Sequence, residues 1–248
     1  MKTLITFVYC ERNNKVVDEN LEFFLKHGIL KNDEFHYNFI INGHTCSMEI
    51  PESENISVIK RDNLGYDFGA YTASLESVNI NEYDYFIFMN DTVRGPFLPN
   101  YIPSRITWVE MFVDKLTEGC IMSGPTVNWG KWGHIQSMCF GLSRKGVQKC
   151  IEEKIFFGEY RTSGRRWKQD YVRDYEVRMS RVLVGNQSHP PIFLFQLSGW
   201  EKQKGTYFSD GYFGDTYNPL EIMFIKTTRI NNQTVKNYTY WRNTKDTR

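Results

Sequence analysis

A chain of 248 residues, 41% hydrophobic and 16% aromatic, is long enough to bury one sizeable core. Its 30 Lys and Arg against 29 Asp and Glu leave a formal charge of +1, so no overall field draws it to nucleic acid or to an anionic membrane. The five cysteines, Cys10, Cys46, Cys120, Cys139 and Cys150, include no CxxC pair; that argues against a disulfide framework and a zinc site and predicts reduced, mostly buried thiols.

Leu4 to Tyr9 is a short apolar run of β-branched and aromatic residues, too short for a signal peptide, and helical spacing from Val17 to Leu30 completes a first β-α unit. Phe35 to Asn42 and Ile56 to Lys60 read as the next strands and Tyr71 to Val78 as a helix. Tyr85 to Met89, bounded by Asp84 and Asn90, reads as a central strand buried on both faces. Past Pro96 the spacing predicts a helix over Trp108 to Leu116, a short strand over Cys120 to Gly124 and a Gly- and Trp-rich stretch from Asn128 to His134. A strand over Gln136 to Leu142, a helix over Lys145 to Ile155, a mobile basic loop from Gly158 to Arg166 and a helix over Tyr171 to Val184 follow. No apolar stretch reaches 18 residues, so no transmembrane segment is expected and the chain reads as cytoplasmic. One domain is expected over residues 1–230, with 231–248 as a polar, loosely packed tail.

Strands alternating with helices predict an α/β fold with a mainly parallel sheet, whose ligands sit beyond the carboxyl ends of the strands. Two polar segments fall there. Arg61 to Tyr71 carries Gly65 and Gly69, for positive φ or close backbone approach, with Asn63 and Asp67 as hydrogen-bonding groups at a helix entrance. Such a loop suits a diphosphate or a sugar hydroxyl, or Asp67 is simply an N-cap. Asn90 and Asp91, delivered by the buried strand, have the layout of a DxD-type metal site, or form an Asx-turn with Asp91 as its cap. Trp129, Trp132 and His134 suit an acceptor groove in which aromatic faces stack on a sugar, or they pack in the core. Arg161, Arg165, Arg166 and Lys168 could close over a diphosphate or form a solvated loop.

Asn63-x-Gly65-x-Asp67-x-Gly69-Ala70, followed by Tyr83-x-x-Phe86-Ile87-Phe88-Met89-Asn90-Asp91-Thr92, resembles the GT-A glycosyltransferases of the rhamnan-synthesis type. Asn20 to Phe24, Ser123-Gly124-Pro125, His134 to Ser137, Tyr175-Glu176 and Asn218 to Lys226 resemble further blocks of that group in the same order, covering roughly Leu4 to Arg229. The resemblance implies a GT-A-like, Rossmann-like sheet flanked by helices. It also implies a UDP- or dTDP-sugar donor of the xylose or rhamnose class, a glycan acceptor hydroxyl, and Mn²⁺ or Mg²⁺ on Asp91. Thr6 and Tyr9 would hold base and ribose, Asp67 would contact the donor, and Arg61, Asn63 and Asn90 would also lie at the donor. Glu176 would be the catalytic base of an inverting transfer, with Asp174 second. The residues themselves leave both carboxylates open as a solvated helix face, paired with Arg173, Arg178 and Arg181. Asn90 departs from the pattern where a DxD motif has its first aspartate, and the late histidine that such enzymes recruit for metal is replaced by Asn218; His189, the other late histidine, stands beside prolines and reads as structural.

The departure at Asn90 keeps a second reading in view, a non-catalytic carbohydrate or nucleotide-sugar binding domain. A nucleotidyltransferase is disfavoured, because Tyr9-Cys10-Glu11-Arg12 lacks the Gly-rich loop such enzymes place after the first strand.

Overall fold

The computed structural model describes residues 1–116, 120–128, 134–158, 169–184, 192–193 and 219–245. The expected loop over Gly158 to Arg166 lies almost entirely outside these residues, and so do Trp129, Trp132, His189 and Asn218.

Strands β1 (Thr3–Tyr9), β2 (Phe35–Asn42), β3 (Ile56–Arg61) and β4 (Tyr85–Asn90) form the parallel half of a seven-stranded sheet. The other half holds β6 (Met122–Gly124), β9 (Cys139–Ser143) and β10 (Ile192–Phe193) in the order β10-β6-β9-β4-β1-β2-β3, with β9 antiparallel to both its neighbours. The sheet is therefore mixed and mainly parallel. Helices α1 (Lys15–His27), α2 (Tyr66–Glu76), α3 (Trp108–Val113) and α4 (Arg144–Glu152) cover its faces, as the GT-A-like class expected from the sequence requires.

Period-2 alternation explains why the central strands read as unbroken apolar runs. Leu4, Val8, Phe86 and Phe88 point into one core, and Ile5, Phe7, Ile87 and Met89 into the other. Phe88 is fully buried, 5.1 Å from both Tyr71 and Phe140. The helices start where their caps direct: Asn14 accepts the Val16 N–H, Thr107 and Glu110 form a capping box, and Ser143 accepts the Gly146 N–H. All five cysteines are free thiols, three of them buried.

Three expected elements differ. Helix α2 begins at Tyr66, not Tyr71, because Gly65 at φ 76° turns the chain straight into it; with Phe68, Ala70, Tyr71, Ser74 and Leu75 all buried, its first turn carries no amphipathic signal. The strand expected over Gln136 to Leu142 is Cys139–Ser143, preceded by the two-residue strand β8 (His134–Ile135) paired with β7 (Val127–Asn128) and by a turn at Ser137 and Met138. The segment expected as a loose tail folds into a helix over Asn232–Lys245, the last of the chain. Val235 is buried in the core, Tyr238 and Trp241 pack against it, and Asn243 bonds His27 at 2.7 Å. Sparse apolar residues on a polar helix leave almost no sequence signal.

Between β4 and this helix, β5 (Val93–Arg94) pairs antiparallel with β11 (Ile225–Lys226), setting Val93 opposite Lys226. That ribbon carries a residue from the far end of the sequence to the end of the central strand.

Candidate active site

At the carboxyl ends of β1 and β4, the side chains of Asp67, Asn90, Asp91 and Glu176 line one cleft together with Arg12 and Lys226. Open α/β sheets place ligands at such a position. Val8 pairs with Asn90, so the chain leaving β1 passes across the end of β4. There the buried Asp91 carboxylate accepts the Cys10 backbone N–H at 2.9 Å and Nη2 of Arg12 at 2.5 and 2.6 Å to its two oxygens. Its backbone carbonyl accepts the Asn20 amide at 2.8 Å.

Asp67 lies in the first turn of α2 but is not its cap, which is Gly65. Its carboxylate accepts the side-chain N–H of Asn90 at 2.7 Å. Burial pushes this carboxyl up to about 6, against the Asn90 bond, and nearby Asp91 adds to the rise. Two residues on, a Cβ at Gly69 would sit 2.0 Å from the Leu64 carbonyl, so only glycine lets the loop lie on the helix. Asn90 also makes an Asx-turn: its oxygen accepts the Thr92 N–H at 3.1 Å and the Thr92 hydroxyl at 2.6 Å.

Glu176 projects from a π-helical stretch over Val172–Val177 that continues into α5 (Arg178–Val184). Such wide turns recur at functional sites. One oxygen of Glu176 lies 3.1 Å from Nε2 of His134, and the other accepts the Ser137 hydroxyl at 2.7 Å. Tyr66 and Tyr171 meet edge-on at the rim, ring centres 5.1 Å apart.

The profile of the rhamnan synthesis protein F family matches residues 39–183, more than half of the chain and the part that supplies Asp67, Asn90, Asp91 and Glu176. The chain belongs to the rhamnan synthesis protein F family. Virulence protein VirA of Vibrio anguillarum is 46% identical to it over 103 residues, which is 40% of this chain and 30% of VirA. The match thus spans under a third of that relative. Among solved structures, the chain is similar to the mannosyltransferase PcManGT from Pyrobaculum calidifontis in complex with GDP-Man and Mn²⁺ (TM-score 0.38, 7% identity, 58% of this chain and 45% of that one). It is also similar to the glycosyltransferase GlyE of Streptococcus pneumoniae TIGR4 (TM-score 0.43, 9% identity, 77% and 45%). At these scores the likeness assigns no residue a role.

In this rhamnan synthesis protein F member, several expected site residues stand elsewhere. Thr6 is sealed in the core, 2.6 Å from the Ser74 hydroxyl, and Tyr9 is fully buried with its hydroxyl donated to Asp18 at 2.8 Å; both point into the faces of the sheet, away from its end. Arg61 braces the loop before α2, bonding Asn42 and the Leu64 carbonyl at 2.6 Å each. Asn63 is exposed and reaches the Cys10 thiol at 3.6 Å. Asp174 is half exposed and held by Arg173 at 2.6 and 2.7 Å, outside the cleft; that pairing lowers its carboxyl below the ordinary range. The alternative of a self-paired helix face therefore holds for Asp174 with Arg173, while Arg178 pairs with Glu153 and Glu176 lines the cleft. His134 lies against Glu176.

A divalent ion on Asp91 does not fit this arrangement. Both carboxylate oxygens face the Arg12 guanidinium, whose positive charge opposes a second cation at the same place, and the Asn90 oxygen is turned to Thr92. Among the described residues, no group of three or more His, Cys, Asp or Glu side chains is placed to hold a metal. Nor is any helix among them long and apolar enough to cross a membrane.

Sequence reasoning passed over Arg12, Ser137 and Lys226 as functional groups. Arg12 follows β1 in a segment read only for its lack of glycine, and the other two lie in family-like blocks whose side chains had no assigned task.

Proposed function

We propose that this chain is a nucleotide-sugar-dependent glycosyltransferase. In this reading it moves a sugar of the xylose or rhamnose class from a UDP- or dTDP-sugar to a hydroxyl of a glycan acceptor, with inversion. The observation that carries it is the convergence of Asp67, Asn90, Asp91 and Glu176, drawn from three elements, in one cleft that also holds Arg12 and Lys226. Acid, amide and cation groups at that edge of a mainly parallel sheet match the needs of a diphosphate-linked sugar.

The acceptor oxygen attacks the anomeric carbon, its proton passes to Glu176, and the bond to the diphosphate breaks with its electron pair on the departing oxygen. Glu176 already accepts from Ser137 and faces His134, yet a carboxylate has about four lone-pair sites, so room remains for the acceptor proton. Asp67, fixed by Asn90, faces the donor sugar. Tyr66 and Tyr171 offer aromatic surface for a sugar ring.

The test is release of nucleoside diphosphate from a panel of UDP-, dTDP- and GDP-linked sugars, with and without sugar acceptors. Acceptor-dependent release from one donor supports the proposal. Saturable binding with no turnover of any donor points to the carbohydrate or nucleotide-sugar binding domain, and no binding of any nucleotide overturns the reading altogether.

A further inference from the structure

Positive charge beside Asp91 is carried by a side chain. Nη2 of Arg12 lies 2.5 and 2.6 Å from the two carboxylate oxygens, and the Cys10 N–H holds one of those oxygens at 2.9 Å. Asp91 is buried in this pairing while 49% of the Arg12 side chain is exposed along the cleft. Only Nη2 is engaged: among the described residues, the Nε and Nη1 donors of Arg12 have no hydrogen-bond partner. A guanidinium anchored through one nitrogen keeps three N–H groups in a planar fork, the shape that grips phosphate oxygens in pairs.

We propose that Arg12, held by Asp91, binds and neutralises the donor's diphosphate, and that transfer by this chain therefore needs no divalent ion. The proposal rests on the nucleotide-sugar reading of the cleft. As the bond between the anomeric carbon and the phosphate oxygen breaks, the electron pair leaves on that oxygen. The Nε and Nη1 protons of Arg12 hydrogen-bond the diphosphate oxygens and stay on the guanidinium throughout; the acceptor proton goes to Glu176. Asp91 is then a positioning residue for Arg12. Lys226, delivered beside Asp67 by the β5–β11 ribbon, adds a second positive charge.

Calorimetric titration of the full chain with UDP, dTDP and GDP, in EDTA and in Mn²⁺, tests this, with Arg12→Gln, Arg12→Lys and a titration of Mn²⁺ alone. One nucleoside diphosphate is expected to bind wild type in EDTA within about twofold of its affinity in Mn²⁺, and Arg12→Gln to weaken it at least about tenfold in EDTA. Arg12→Lys keeps the charge without the fork and falls between them, while Mn²⁺ alone shows no saturable binding to wild type. Binding that appears only with Mn²⁺, or an Arg12→Gln protein that binds as wild type, overturns the proposal and leaves the transferase reading standing. Failure of all three nucleotides in both conditions overturns both. Should Arg12→Gln not fold, the comparison of wild type in EDTA and Mn²⁺ decides alone.

Discussion

Asn90 donates its side-chain amide to the Asp67 carboxylate at 2.7 Å, tying the end of the central strand to the first turn of α2. The amide that departs from a DxD pattern is therefore a structural donor, holding one carboxylate where a second acid would repel it.

Asp67 gives the fold a distinctive pH response. Its carboxyl is pushed up to about 6 from an ordinary value of 3.8, so the folded chain holds this proton more tightly than the unfolded chain does. The stability it contributes is full below the unfolded value and is lost as pH rises through about 6. Thermal melts of wild type and Asp67→Asn are expected to show wild type losing ground to the variant between about pH 4 and pH 7. A difference in melting temperature that stays constant across that window would contradict the assignment.

Ser137 should act through Glu176. Removing its hydroxyl in Ser137→Ala strips one donor from the carboxylate and frees its orientation, for which a loss of about tenfold in kcat with little change in KM is expected. Ser137→Thr, which restores a hydroxyl, should recover part of it. Equal losses in both variants would mark Ser137 as packing.

Arg94 is the buried brace beneath the cleft. Its guanidinium bonds Asn20 at 2.8 Å, Glu19 at 3.0 Å and Thr239 of the last helix at 3.1 Å, and Asn20 in turn holds the Asp91 carbonyl. Arg94→Met should lower unfolding free energy by about 2–3 kcal/mol, because it leaves the Asn20 oxygen buried without its donor. Glu19→Gln should cost under about 1 kcal/mol, since that carboxylate is substantially exposed. Urea melts measure both, and an Arg94→Met protein as stable as wild type would show that the brace carries no net stability.

How far the sequence could be read follows from what each element buries. The strands around β1 and β4 were legible because two-sided burial leaves unbroken runs such as Phe86 to Met89, and Gly65 and Gly69 announced a loop that only glycine permits. The last helix was not legible, since only Val235, Tyr238 and Trp241 pack inward from an otherwise polar helix, and Arg94, from far earlier in the chain, donates to its Thr239. In the site, Asp67, Asn90 and Asp91 stood out as polar residues at element ends, whereas Glu176, inside a charged helix, was pointed to only by the family resemblance. Arg12 and Lys226 did not, because their meaning comes from strand register and from a ribbon closing across more than a hundred residues. Thr6 and Tyr9 misled for a related reason: being near the end of β1 does not put a side chain at the end of the sheet when alternation turns it into a core.

The most direct test of the account is Glu176→Gln, measured for both donor affinity and turnover on whichever nucleotide-sugar the wild-type chain consumes. Loss of the base with the cleft intact predicts a fall in kcat of about 10²–10⁴ with donor affinity unchanged within about threefold. Turnover at the wild-type rate in Glu176→Gln would contradict the claim that this cleft carries the transfer through that carboxylate.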